Sequence, residues 1–263
     1  MPNNGSSNTS SPCPKLVVMD LLGTLVEHDG AVRGALAAAF QAHGEKVDAD
    51  LASMAIGYPG FQGISRILKW LHPSEEPHLG SVRSIHDLAV KELSRMVSFA
   101  GGIQPAEGVE RLCRTWANLG VAVAATTTLH ASIVKPLLTR LKWDLNPPFS
   151  ALVLAEEVER PTPGPDLILE CMRRTGVSDL SGVAKVASHG IGLADAKQLG
   201  CAWSVLVDDG SLTTDQIAAL APTAIVDQAM DLMHMWKFPA SSDTALEDEI
   251  ARILHRSSRN GVA

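Results

Sequence analysis

Three observations predict an α/β fold for this 263-residue chain, a Rossmann-like parallel sheet with an all-helical insertion after its first strand. Apolar runs at 16 to 19, 121 to 125, 150 to 155, 183 to 187, 203 to 207 and 223 to 226 have strand length and are bounded by turn residues. Segments with helical spacing separate the later runs, and strands alternating with helices make a parallel sheet. Residues 27 to about 100 break this rhythm, because they carry helical patterns and no good strand.

In chain order, residues 1–14 are rich in Asn, Ser and Pro and read as a disordered extension, without the basic and apolar segments of a signal peptide. The run Leu16-Val17-Val18-Met19 ends at Asp20, and Gly23 lets the backbone turn sharply, so one carboxylate stands at the exit of a buried strand. An acid so placed can attack an electrophile or hold a metal; a turn cap is the bland alternative. Helical patterns at 31–42, 61–71 and 81–98 make the insertion, expected over 28–100. The Rossmann-like core is expected over 15–27 and 101–238. Its helices carry Val109, Leu112, Cys113 and Trp116, then Ile133, Leu137, Leu138 and Leu141, then Leu167, Ile168, Cys171 and Met172. Residues 239–263 carry Leu246, Ile250, Ile253 and Leu254 at amphipathic spacing, a last packing helix.

A net charge of −7, without a Lys/Arg cluster, argues against a nucleic-acid surface. No stretch approaches a membrane span, and the chain reads as cytoplasmic. Four scattered cysteines suit neither a zinc site nor a disulfide framework. In an open parallel sheet ligands bind beyond the carboxyl ends of the strands, so the residues after each strand are the ones to read.

The pattern Asp20-Leu21-Leu22-Gly23-Thr24 after its apolar strand resembles the first motif of the haloacid dehalogenase superfamily. The segments 105–119, 137–143 and Pro163-Gly164-Pro165-Asp166-Leu167-Ile168 resemble its phosphonatase-like branch, over about residues 15 to 230. The resemblance implies that Asp20 is a covalent nucleophile and that Mg²⁺ is a cofactor. It also implies a hydroxyl at Thr126, beside Thr127, that binds phosphate; capping of the following helix is the alternative for Thr126. By the same resemblance the helical insertion is a cap that closes over the site, and a homodimer through the cap is implied, with Phe61, Trp70 and Leu71 as candidate contacts; packing within the cap is the alternative for these three.

Several family positions are altered. Leu22 stands where most phosphatases of the superfamily carry a second Asp, a loss phosphonatases share. Thr162 falls at the place of the third motif's basic residue; Arg160 two residues earlier is a substitute if the loop is rearranged, and a solvated surface arginine is the alternative. Ser188 and Gly192 fall where two acids hold Mg²⁺, and Asp195 reads as a first-turn helix residue. Gly60 falls at the cap lysine that forms a Schiff base in phosphonatases. His189 is the histidine on a site loop, and amides at the glycine-rich start around Gly190 and Gly192 can hold an anion without side-chain charge.

These losses point to a phosphonatase-like protein with a site for a small anionic metabolite, phosphorylated or phosphonate, whose inherited hydrolase chemistry is weak or lost. The candidate residues are Asp20 and Thr126 for catalysis, Asp20 also as a ligand wherever a metal is bound, and Gly23, Thr24, Thr127, Arg160, Ser188 and His189 for substrate binding. Two alternatives stay open. One is an active hydrolase, a phosphatase or phosphonoacetaldehyde hydrolase-like enzyme, with Asp20 as nucleophile and Glu156, Glu157 or Asp195 holding a displaced metal. The other is metal-free substitution at carbon, which needs a cationic cradle that the sequence does not display.

Overall fold

The computed structural model describes residues 13–28, 30–99 and 103–236. The expected C-terminal helix and most of the N-terminal extension lie outside them. The chain forms β1 (Leu16–Asp20), β2 (Val26–Glu27), then the helices α1 (Ala31–Ala42), α2 (Ala49–Ala52), α3 (Gly60–Leu71) and α4 (Leu79–Phe99). It continues through β3 (Gln104–Pro105), α5 (Val109–Asn118), β4 (Ala122–Thr127), α6 (Ala131–Leu141) and β5 (Ala151–Leu154). The remaining elements are α7 (Asp166–Thr175), β6 (Val183–Ala187), α8 (Gly190–Leu199), β7 (Trp203–Val207), α9 (Thr214–Leu220) and β8 (Ala224–Val226).

Six of the strands form one parallel sheet in the order β5-β4-β1-β6-β7-β8. β1 is therefore central, and the chain leaves it for the cap before returning to β4 on one side and β6 on the other. That reversal of direction opens a crevice at the carboxyl ends of β1, β4 and β6. Each apolar run read from the sequence becomes a strand of this sheet. The pair β2 and β3, two residues each and antiparallel, is too short to show as a periodic pattern; it ties the two connections into and out of the cap.

Alternation along the strands divides the interior into two apolar layers. Val17, Met19, Val123, Ala125, Ala184 and Val186 face one layer, with Trp116 of α5 and Leu137 of α6 in it. Leu16, Val18, Ala124 and Val183 face the other, against Leu167, Ile168 and Cys171 of α7 and Ala196 of α8. The cap has its own core, in which Phe40, Ile64, Ile67 and Ile85 are fully or almost fully buried. Two separate cores joined by short connections are what a cap over a sheet end requires.

Cys113 and Cys171 are buried free thiols, pushed up to about 12 by burial. No helix among the described residues is long and apolar enough to cross a membrane.

Candidate functional site

The period of the strands builds the site. Leu16, Val18 and Asp20 share one face of β1, Ala122, Ala124 and Thr126 share that face of β4, and Val183, Lys185 and Ala187 share it on β6. Asp20 is paired with Thr126 in register, which sets their side chains next to each other at the sheet's end. Lys185 is in register with Val18, two residues below Asp20, or about 6.6 Å along the strand. The four-carbon lysine stem covers that distance and brings its ammonium up to the carboxylate.

Asp20, Thr126 and Lys185 close a hydrogen-bonded triangle. Lys185 Nζ donates to Asp20 Oδ1 at 2.5 Å and to Thr126 Oγ1 at 2.8 Å, and Thr126 Oγ1 donates to Asp20 Oδ1 at 2.9 Å. Lys185 is 3% and Thr126 1% exposed. Helix capping, the alternative for Thr126, falls to other residues: His130 Nδ1 accepts from Ser132 N, and Thr127 Oγ1 accepts from Leu129 N.

The loop after β1 turns as the motif implies. Leu21 N bonds the Thr126 carbonyl, and Gly23 N and Val26 N close the turn on Val26 O and Leu21 O. Gly23 has φ +78°, and a Cβ there would stand 2.1 Å from Ser188 Oγ, so only glycine fits. Thr24 is buried with its hydroxyl unpartnered and does not line the crevice.

The crevice above the triangle, about 690 Å³ including its open mouth, is lined by Asp20, Thr126, Thr127, Lys185 and His189. Leu22, Ile56, Leu129 and Ile191 give it apolar walls. Gly57 of the cap, at φ +85°, leaves room for Ile191, whose Cγ2 would lie 2.5 Å from a Cβ at 57. The roof of the crevice is thus cap backbone pressed on the first turn of α8.

Four expected positions differ from their sequence reading. Arg160 does not line the crevice; its guanidinium bonds Asp166 at 2.9 Å, and its side chain is 69% exposed. Asp166 starts α7 beside it, so the local ion pair holds the arginine on the surface. Asp195 is not a first-turn residue: it lies in the second turn of α8, 5% exposed, and lines the crevice. Its Oδ1 accepts from Gly164 N at 3.0 Å. Burial raises its pKa, opposed by the Thr162 hydroxyl and the Gly164 amide. Ser188 is buried behind the crevice, its Oγ 2.6 Å from His189 Nδ1. His189 is not alone, because His28, in the loop after β2, lines the same space. Burial pushes both imidazoles below the usual histidine range, and at His28 the neighbouring His189 adds to the effect.

Lys185 and His28 are the site residues that sequence reading missed. Lys185 carried a signal: it is a lysine inside an apolar run of strand length, and a charge buried there needs an opposite charge. His28 carried none.

The donor set does not fit Mg²⁺. Ser188 and Gly192 supply no carboxylate, and the Lys185 ammonium already sits on Asp20 Oδ1. Glu156 faces His130 at 3.5 Å, and Glu157 is held by Leu154 N and Arg174, so neither joins Asp20. Among the described residues no group of three or more His, Cys, Asp or Glu side chains could hold a metal ion. At the cap, the space a side chain at Gly60 would take belongs to the His86 ring, 2.8 Å from such a Cβ.

Residues 14–186 match the model of the haloacid dehalogenase-like hydrolases. The chain belongs to this family. None of the curated proteins matches it. Among solved structures it is similar to a hydrolase from Pseudomonas syringae, with a TM-score of 0.73 at 17% identity over 84% of this chain and 96% of that one. A phosphonoacetaldehyde hydrolase-like protein from Oleispira antarctica superposes with a TM-score of 0.71 at 20% identity, over 86% and 92% of the two chains. CbbY from Rhodobacter sphaeroides, in complex with phosphate, gives a TM-score of 0.67 at 19% identity, over 83% and 96%. At these identities the likeness is one of fold.

Proposed function

We propose that this haloacid dehalogenase-family chain binds a small phosphorylated or phosphonate metabolite in the crevice over Asp20, and that its Mg²⁺-dependent phosphoryl transfer is weak or lost. The observation that carries this reading is the replacement of the metal-binding carboxylates by Ser188 and Gly192 beside an otherwise assembled Asp20–Thr126 pair. The triangle, the threonine-rich end of β4 and the amides at the start of α8 are the anion-binding groups. The phosphate named for the Rhodobacter protein and the phosphonate chemistry named for the Oleispira protein suggest the ligand class.

Attack by Asp20 on a phosphoryl group brings like charges together. At about 4 Å and an effective dielectric near 20 one such repulsion is about 4 kcal/mol, which is about a thousandfold in rate if nothing offsets it. Lys185 offsets part of it, and this favours a second reading: Asp20 retains nucleophilic chemistry without a metal, including substitution at carbon, for which Lys185 supplies a cation. The triangle tempers that reading, because two hydrogen bonds to Oδ1 withdraw charge from the carboxylate and leave Oδ2 as the oxygen to attack.

The test is release of phosphate from phosphonoacetaldehyde and small phosphate esters, and of halide from 2-haloacids, by the native chain and by Asp20→Asn. Ligand binding without turnover is the expected result. Metal-dependent turnover abolished by Asp20→Asn would overturn the proposal, and metal-free turnover so abolished would establish the second reading.

A further inference from the structure

All five residues of β6 are buried, and four of them are Val or Ala. The fifth, Lys185, spends two of its three N–H donors on Asp20 and Thr126, which leaves one for a ligand oxygen. The position of the second expected metal acid explains how the lysine fits. A Cβ at Gly192 would stand 3.2 Å from Lys185 Cε and 3.4 Å from Asp20 Oδ2. A side chain at 192 and the lysine stem therefore compete for the same space.

Charge is conserved in the exchange. Three carboxylates, one divalent ion and one basic residue, the set the family motifs imply, sum to zero. Asp20 and Lys185, one carboxylate and one ammonium, do so as well, with the Asp195 carboxylate of the same crevice engaged separately by the Gly164 amide.

We infer that Lys185 is a tethered cation standing where the family's motifs imply Mg²⁺, so that this site holds its anionic ligand without a metal. Gly192 leaves the lysine stem room to pass, since a Cβ there would press on Lys185 Cε at 3.2 Å. Lys185 then acts as a binding group for the ligand and as a positioning residue for Asp20. The inference rests on the proposal that the crevice takes a small anion, and its test separates the two.

The test uses calorimetry on the full chain, with methylphosphonate and MgCl₂ titrated separately, and thermal denaturation with and without Mg²⁺. The native chain is expected to bind methylphosphonate equally in EDTA and in Mg²⁺, and to give no heat with Mg²⁺ alone. Lys185→Met should weaken methylphosphonate at least tenfold. The variant Lys185→Met/Ser188→Asp/Gly192→Asp, which restores both acids in the vacated space, should take up Mg²⁺ and show a Mg²⁺-dependent rise in Tm. Uptake of Mg²⁺ by the native chain, tenfold tighter methylphosphonate binding in Mg²⁺, or undiminished binding by Lys185→Met would each overturn the inference. If methylphosphonate and inorganic phosphate bind under no condition, the small-anion reading fails. The Mg²⁺ titrations then judge Lys185 alone: a native chain indifferent to Mg²⁺ beside a variant stabilised by it supports the tethered cation. Should the triple variant not fold, the native titration and Lys185→Met decide.

Discussion

Two ion pairs in this protein have the same chemistry and opposite standing. Lys185 meets Asp20 where their side chains are 4% and 26% exposed, while Arg160 meets Asp166 with the arginine 69% exposed. The arginine sits in the loop where the third family motif would place a cation; the lysine sits in a strand where none is required. Water screens the first arrangement poorly and the second well, so the buried pair acts on whatever enters the crevice and the surface pair does little beyond fastening a loop. Proximity in sequence to a motif is thus a weaker guide to function than the dielectric in which the charge ends up.

The comparison is broken most directly by Lys185→Met. Removing one member of a buried pair leaves the other uncompensated, and we expect a loss of about 3 kcal/mol of stability by urea denaturation. Asp20→Asn/Lys185→Met should recover part of it, since the uncompensated carboxylate is gone; a double variant no better than the single would mean that packing of the lysine stem, and not charge, was lost.

Thr126→Val tests the third corner of the triangle. It keeps the shape and removes a hydroxyl that both donates to Asp20 and accepts from Lys185, so a loss of about 1–2 kcal/mol is expected. A change near zero would show that the ammonium and carboxylate satisfy each other without it.

The two crevice histidines sharpen the contrast through pH. Their folded pKa values lie below the unfolded 6.5, so as pH falls through 6.5 the unfolded chain takes up protons that the folded chain refuses. Their contribution to stability is therefore whole above pH 6.5 and declines as pH falls through that value and on to the folded pKa values. Tm measured from pH 8 to 5 should fall toward the acid end, and His28→Gln/His189→Gln should flatten the decline between pH 7 and 5.5. An unchanged slope in that variant would place the acid sensitivity elsewhere.

The smallest effect belongs to the surface pair. Arg160→Ala should change stability by less than about 1 kcal/mol and leave methylphosphonate affinity within a factor of two. A tenfold loss of affinity would move Arg160 into the crevice and reverse the comparison.

Much of the fold was legible because its causes are local. Four apolar residues ending at Asp20, the alternation of strand and helix after residue 105, and the helical stretch before it are patterns a short window contains. Gly23 was legible for the same reason, since a turn directly after a strand asks for positive φ there. The two-residue strands β2 and β3 and the side-chain role of Asp195 were not, because neither has a period of its own. The sequence by itself also determined what is missing: no carboxylate stands at 188 or 192, and no base stands at 162. Tertiary structure alone decided which cation meets Asp20. Which of two nearby cations reaches Asp20 depends on strand register, the length of a lysine stem and the space left by Gly192, and these join residues 165 positions apart. A charge's partner is set by distance and burial in the folded chain, and a linear sequence holds neither.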